Sequence, residues 1–500
     1  MNTLTRNKIL SFFITITIFL MLLTYVFNSI VLLLSTMLSL IILMIVINDI
    51  TQKKHSLLRN FPLIGRLRWF FESERTKIQQ YFIENDINGT PYNREKRSDI
   101  YQKSKGEINT TPFGTQLNLY EKESEFLQHS MFPKNVNEVK DLRVTIGSST
   151  KVKPYSASIF NISAMSYGSL SDAAIIALNA GAKMGDFYHN TGEGGVSKHH
   201  LQGGDLCFQI GTGYFGAGMT INGKRYFNEK SFLKTVHSSN VKMVEIKLSQ
   251  GAKPSHGGIL PAAKNTKEIA EIRGVEPNQD VMSPPYHTAF RDYESMLAFI
   301  FRVRYISQIP VGIKLCLGNE LEFKTLVNEM LQRNIYPDFI TIDGSEGGTG
   351  AAPLVYSNNV GMPLFDALKI INDVLIENGI RDKITLIASG KASTSFDVIK
   401  LLAMGADVVN AARAFMFSMG CIQARECNKN TCPVGIATQN RRLIKGLDPS
   451  EKKVRVYNYH KAIIHEVREL VAGMGLTKIK DLRPDMIVYR NEEGKLKERS

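Results

Sequence analysis

A chain of 500 residues with 43% apolar side chains can bury one large core or two ordinary ones. Its formal charge of +14 does not mark a nucleic-acid binder, because the excess is spread along the chain and no short block joins Lys or Arg to interleaved aromatics. Part of that excess flanks an apolar N-terminus, where a membrane is the simpler explanation.

Residues 9–47 are almost uninterrupted Leu, Ile, Phe, Val and Met, with Asn28 and Ser29 at the middle. Helices over 10–27 and 30–47, each short of or near the twenty residues a bilayer requires, are expected to form a tight hairpin. Arg6 and Lys8 precede it, and Lys53, Lys54 and Arg59 follow it, so both ends and the rest of the chain are expected in the cytosol. The run is too long for a cleaved signal peptide, and no small-residue cleavage site follows. A single tilted or bent helix is the alternative.

Residues 51–150 form a juxtamembrane segment expected to pack on the following domain. Within it Leu63, Ile64, Leu67, Trp69, Phe70 and Phe71 alternate with Arg66 and Arg68, which suits either a lipid interface or a place against the core. From residue 157 strands and helices alternate. Strands are read at 159–165, 187–190, 241–248, 311–317, 339–343, 384–388 and 406–411, with helices at 171–184, 321–333, 364–378 and 393–404. Repeated β-then-α order over 151–445 predicts an α/β fold, a parallel (β/α)8 TIM barrel, whose chemistry gathers at the C-terminal ends of strands. In 446–500, residues 452–472 read as an amphipathic helix with Val456, Tyr459, Ile463, Val467 and Leu470 at core positions. The charged tail RNEEGKLKERS is expected to fray.

Ser389-Gly390-Lys391 follows one late strand and Ala411-Ala412-Arg413 the next, where barrels of this kind hold a phosphate. With Gly347, Gly348, Thr349 and Gly350 they leave an anion-sized space, since backbone amides meet a phosphate oxygen only where side chains are small.

Three of the five cysteines, Cys421, Cys427 and Cys432, fall within the stretch 420–439, spaced C-x5-C-x4-C. Disulfides do not account for an odd trio facing a reducing cytosol. Three thiolates on one loop suit an iron-sulfur cluster with three irons to fill. Spacing alone leaves zinc and buried structural thiols open.

The wording around these residues resembles the glutamate synthases. NTCPVGIATQ is similar to that family's cluster loop, and SAMSYGSLS, NTGEGG, IKLSQGAKP, SPPYH and DGSEGGTGAAP follow in the family's order between residues 160 and 439. The resemblance implies FMN in the cradle and a [3Fe-4S] cluster on the three cysteines. It implies that the flavin ring rests on Ser163, Ala164, Met165 and Ser166, with Gln209, Lys247 and Asp343 also at the cofactor. Lys247 would favour electron density at N1 of the reduced ring; a solvated Lys at a strand end is the bland alternative. For substrate it implies Glu193, Lys253 and Arg273 around 2-oxoglutarate, a dianion that needs cations.

The sequence also departs from that pattern. Ser255-His256 replaces Gly-Glu, Ile259 replaces a Gln, and Tyr214 stands where Arg is usual. The resemblance covers the flavin and cluster domain of a larger enzyme, as in short, membrane-tethered members. It implies glutamate formation with ammonia, free or from a partner glutaminase, and an electron donor such as ferredoxin, since no GxGxxG follows a predicted strand. An FMN oxidoreductase acting on another substrate and running in reverse towards a membrane acceptor, and a non-catalytic membrane redox sensor or scaffold, are the rival expectations.

Overall fold

The computed structural model describes residues 2–107, 110–148 and 152–499. The expected boundary at 150 and 151 and the last residue of the tail, Ser500, lie outside the described residues. The chain divides into two compact units, Met1–Pro91 and Tyr92–Ser500. The stretch 51–150 is therefore shared between them.

In the first unit, helices Asn2–Phe27 and Ile30–Thr51 are joined by Asn28, whose φ of 43° lets the chain reverse in two residues. Hydroxyl pairs join the helices: Thr17 Oγ1 lies 2.6 Å from Ser39 Oγ, and Thr24 Oγ1 lies 2.9 Å from Thr36 Oγ1. Phe12, Leu22, Leu34 and Leu38 face outward. A water-soluble hairpin would reverse that arrangement. The following helix, Arg66–Ile78, has no buried residue.

The second unit is built on a closed barrel of eight parallel strands. These are β1 (Phe160–Ile162), β2 (His189–Asn190), β3 (Leu206–Ile210), β4 (Val241–Lys247), β5 (Val311–Leu315), β6 (Phe339–Asp343), β7 (Thr385–Ser389) and β8 (Val408–Ala411). Six lie within a residue or two of the sequence reading at their C-terminal ends, whereas β1 stops at Ile162, three residues short of it. The reading missed β3. Only the short 3-10 turns Gly192–Gly194 and Lys198–His200 separate it from β2, so the alternation with helices that exposes a strand lapses there.

Helix Asp172–Gly185 starts on a Ser171 side chain that accepts from the Ala174 amide. It packs against Pro449–Gly473 so closely that a Cβ on Gly181 would lie 2.5 Å from Val456 Cγ1. Val456, Tyr459, Ile463 and Val467 are fully buried, as their spacing predicts. The tail does not fray. Ile487–Arg490 pairs antiparallel with both Leu496–Glu498 and Glu125–Leu127, and Lys400 and Arg499 both reach Glu125. The tail's partner is an acidic residue far upstream, which local composition does not reveal.

Candidate active site at the C-terminal mouth of the barrel

Glu193 stands on the turn after β2. Gly192, at φ +61°, and Gly194 bring this turn against the loop after β1, where added Cβ atoms would lie 2.7 Å from Ser166 N and 2.8 Å from Ser166 Cβ. Glu193 Oε1 pairs with Lys247 Nζ at 3.0 Å, and Lys247, at the end of β4, also donates to Gln250 Oε1 at 2.9 Å. Burial alone would raise the Glu193 pKa, but Lys247, Arg273 and Lys253 together hold it below its usual value. Glu193 Oε2 is buried without a partner among the described residues.

Two further cations share this acid's field. Burial lowers Lys253 to about 8 against the pull of Glu193, and its ammonium donates to the Ala351 carbonyl at 2.9 Å. Burial likewise lowers Arg273 to about 10. The Arg273 guanidinium lies over the Phe215 ring at 5.0 Å and donates through Nη2 to the Tyr167 carbonyl, while its Nε has no partner among the described residues. Orphaned polar atoms on Glu193 and Arg273 are what a polar substrate would satisfy. Sequence placed these three residues far apart; the barrel brings them together.

The structure also reveals charges that the sequence reading overlooked. Glu245 on β4 is buried and accepts from Gln209 Nε2 at 2.6 Å, Asn190 Nδ2 at 2.8 Å and Thr341 Oγ1 at 2.6 Å. Gln209 therefore serves this network. Lys314 on β5 lies 3.2 Å from Asp343 Oδ2, which also accepts from the Gly251 amide at 2.9 Å. Burial would lower Lys314, but Asp343 and Glu245 outweigh it and raise its pKa. The signal available was a charged residue inside an apolar strand word, VKMVEIK and VGIKL, which a buried strand tolerates only with a partner.

At the other side of the mouth, Ser163 Oγ and Ser389 Oγ lie 3.1 Å apart, joining the ends of β1 and β7. Ala164 and Ser166 are half-buried, and Met165 is buried. Arg413 donates to the Glu346 carbonyl at 2.7 Å and runs past Gly348, where an added Cβ would meet Arg413 Nε at 2.6 Å. Lys391 at the end of β7 is held below its ordinary value by burial and then by the charge of Arg413. Two cations crowded beside Gly347, Gly348 and Gly390 make a place that an anion relieves, which fits the phosphate of FMN. Ala412 begins the short helix Arg413–Ser418, while Thr349 and Gly350 are exposed at the rim.

The cysteine loop docks onto the loop after β1. Gln439 Nε2 donates to the Gly168 and Leu170 carbonyls at 3.2 and 2.8 Å, and Ser171 Oγ donates to Gly435 O at 2.7 Å. Cys432 is buried, and Cys421 and Cys427 pack on the core. Burial pushes Cys421 up to about 12, and Cys427 and Cys432 add to the shift. Such thiols hold their protons unless a metal takes its place. Among the described residues no three His, Cys, Asp or Glu side chains converge on a single ion. Cys432 is buried and Cys421 and Cys427 are half-buried, and thiolates from such a trio are the donor type that would hold an iron-sulfur cluster.

Among known proteins, residues 94–477 match the family described as a conserved region in glutamate synthase. The chain is 36% identical over 493 residues to the glutamate synthase large subunit-like protein YerD of Bacillus subtilis, covering 90% of this chain and 93% of that one. It is 35% identical over 330 residues to the archaeal-type glutamate synthase (NADPH) of Thermotoga maritima, covering 65% of this chain and 61% of that one. Over 304 residues it is 34% identical to the ferredoxin-dependent glutamate synthase 2 of Synechocystis, covering 59% of this chain and only 18% of that one. With both the barrel mouth and the cysteine loop inside the matched region, the chain belongs to the glutamate synthase family.

Proposed function

We propose that the chain is a flavin and iron-sulfur oxidoreductase of the glutamate synthase type, which reductively aminates 2-oxoglutarate from a two-span anchor in the cell membrane. The observation that carries this reading is Glu193, buried beside Lys247 and in the field of Lys253 and Arg273, with one carboxylate oxygen unpartnered among the described residues. Ser163, Ala164, Met165, Ser166, Lys247 and the Lys391–Arg413 cradle would hold FMN, and Cys421, Cys427 and Cys432 would hold a [3Fe-4S] cluster. When bound, these groups supply hydride to an imine carbon and single electrons to the flavin.

The chain's own residues do the rest. Lys253 and Arg273 grip the two carboxylates of the keto acid. Glu193, ionised because its cationic neighbours outweigh its burial, favours the iminium and orients ammonia, whether free or delivered by a partner glutaminase. The electron donor in this reading is a protein such as ferredoxin. Family membership and the inverted polarity of the first two helices support the activity and the anchor respectively. Arg6 and Lys8 before the spans, and Lys53 and Lys54 after them, orient both ends to the cytoplasm.

Anaerobic purification of the full chain in detergent, followed by absorption spectra with a panel of amino acids, keto acids and reductants, tests this function. Glutamate or 2-oxoglutarate is expected to perturb the flavin spectrum. A response to another ligand and to neither of these would retain the cofactors and reject the substrate. His256 favours that second reading: its ring meets Tyr356 edge-on at 5.3 Å, three residues from Lys253. Reporters fused to either end are expected to be cytoplasmic.

A further inference from the structure

The first unit contains a cavity of about 440 Å³ at the C-terminal end of the second apolar helix. Its lining includes Asn48, Gln52, Lys54, His55, Arg66 and Trp69. Asp49 also reaches it but brings no free charge. The Asp49 carboxylate is fully buried and accepts from Arg66 Nε at 2.9 Å, Arg66 Nη2 at 2.5 Å and the Leu63 amide at 3.0 Å. That bidentate pair fixes the cavity wall and leaves Arg66 Nη1 without a hydrogen bond among the described residues.

Gln52 shapes the floor by donating to the Asp49 and His55 carbonyls at 3.0 and 2.8 Å, while its Oε1 accepts from the His55 amide. His55 meets the Trp69 ring edge-on at 5.0 Å. The Lys54 ammonium has no partner among the described residues. With Asp49 already neutralised by Arg66, the cavity offers Lys54, His55 and the free edge of Arg66 to an anion.

We propose that this cavity binds a phosphate anion, supplied by the headgroup of an anionic phospholipid. The proposal rests on the reading of residues 10–27 and 30–47 as membrane spans, since that reading sets the cavity at headgroup depth. Trp69 and the exposed Leu67, Phe70 and Phe71 beside it are the side chains that favour this depth. A cationic pocket just cytoplasmic of a span is suited to such a headgroup.

The chain carries a reporter of its own, because Trp69 is its single tryptophan. The full-length protein in neutral detergent is titrated with short-chain phosphatidylglycerol, short-chain phosphatidylcholine or inorganic phosphate, and tryptophan emission is followed. Phosphatidylglycerol is expected to give a saturable change at a lower concentration than phosphatidylcholine. Lys54→Gln should weaken that response roughly fivefold, and Lys54→Arg should restore it. Equal responses to the two lipids, or an unaltered response in Lys54→Gln, overturn the site. A response to inorganic phosphate matching that of phosphatidylglycerol overturns the lipid source. Sedimentation of the expressed chain with washed membranes is scored separately, so a chain that is membrane-bound yet indifferent to the headgroup rejects this proposal and not the spans.

Discussion

Glu193 and Lys247 form an ion pair of 3.0 Å between the turn after β2 and the end of β4, with little exposure of either side chain. Removing one member of such a pair leaves the other charge buried. Lys247→Met is therefore expected to destabilise the fold by about 3 kcal/mol. Adding Glu193→Gln should recover much of that loss. Urea unfolding of both variants and of the parent decides it, and a double variant no more stable than Lys247→Met would reject the pair as the cause.

Lys253 is lowered to about 8 from an ordinary value of 10.5 because burial disfavours its ammonium. Between those two values the unfolded chain holds a proton that the folded chain has lost, so this residue makes stability rise with pH across that window. Substrate binding should run the other way. The ammonium is present below about 8 and absent above it, so affinity for 2-oxoglutarate should fall as pH climbs past that point. Lys253→Arg should flatten the fall, as measured by ligand titration of the flavin spectrum at successive pH values.

Arg273→Ala removes a buried guanidinium whose Nε is unpartnered among the described residues. Loss of a charged hydrogen bond of about 1.5 to 3 kcal/mol lowers affinity for the keto acid by about one to two orders of magnitude. Arg273→Lys should restore only part, because an ammonium lacks the planar fork. Flavin content should not change in either variant. Flavin lost in step with substrate affinity would move Arg273 from the substrate to the cofactor.

Gly348→Ala places a methyl group 2.6 Å from Arg413 Nε and forces the guanidinium aside. Overpacking of this kind costs about 1 to 3 kcal/mol, which should appear as weaker FMN retention on dialysis. Gly473→Ala is the control, because that glycine lies outside the cradle and nothing lies within 4 Å of its added Cβ. Equal retention in the two variants would remove Arg413 from the phosphate cradle.

Replacing Cys421, Cys427 or Cys432 by Ser should lower bound iron and sulfide together and abolish the paramagnetic signal of an oxidised three-iron cluster. Cys316→Ser, at a buried cysteine far from the loop in sequence, should keep both. Zinc in place of iron in anaerobically prepared protein would reject the cluster.

Periodicity was enough to announce the barrel, because each β-then-α unit writes its own period into the chain. Phe339–Asp343 falls where the alternation put it, and Asp172–Gly185 starts at the Ser171 cap. β3 escaped because no α-helix separates it from β2. Residue types likewise announced Glu193, Lys253, Arg273 and the cysteine trio as candidates, through words shared with a family. What they touch was not legible. Glu193 pairs with Lys247 because the turn after β2 meets the end of β4 at the barrel mouth, and Gln439 reaches Gly168 because Ser171 anchors the cysteine loop through Gly435 O. Lys314 and Glu245 looked like stray charges in apolar strands until closure of the sheet set Asp343, Gln209 and Thr341 beside them. Local sequence determines backbone periodicity and side-chain chemistry; only the tertiary fold decides which charges are neutralised, because their partners lie tens to hundreds of residues away.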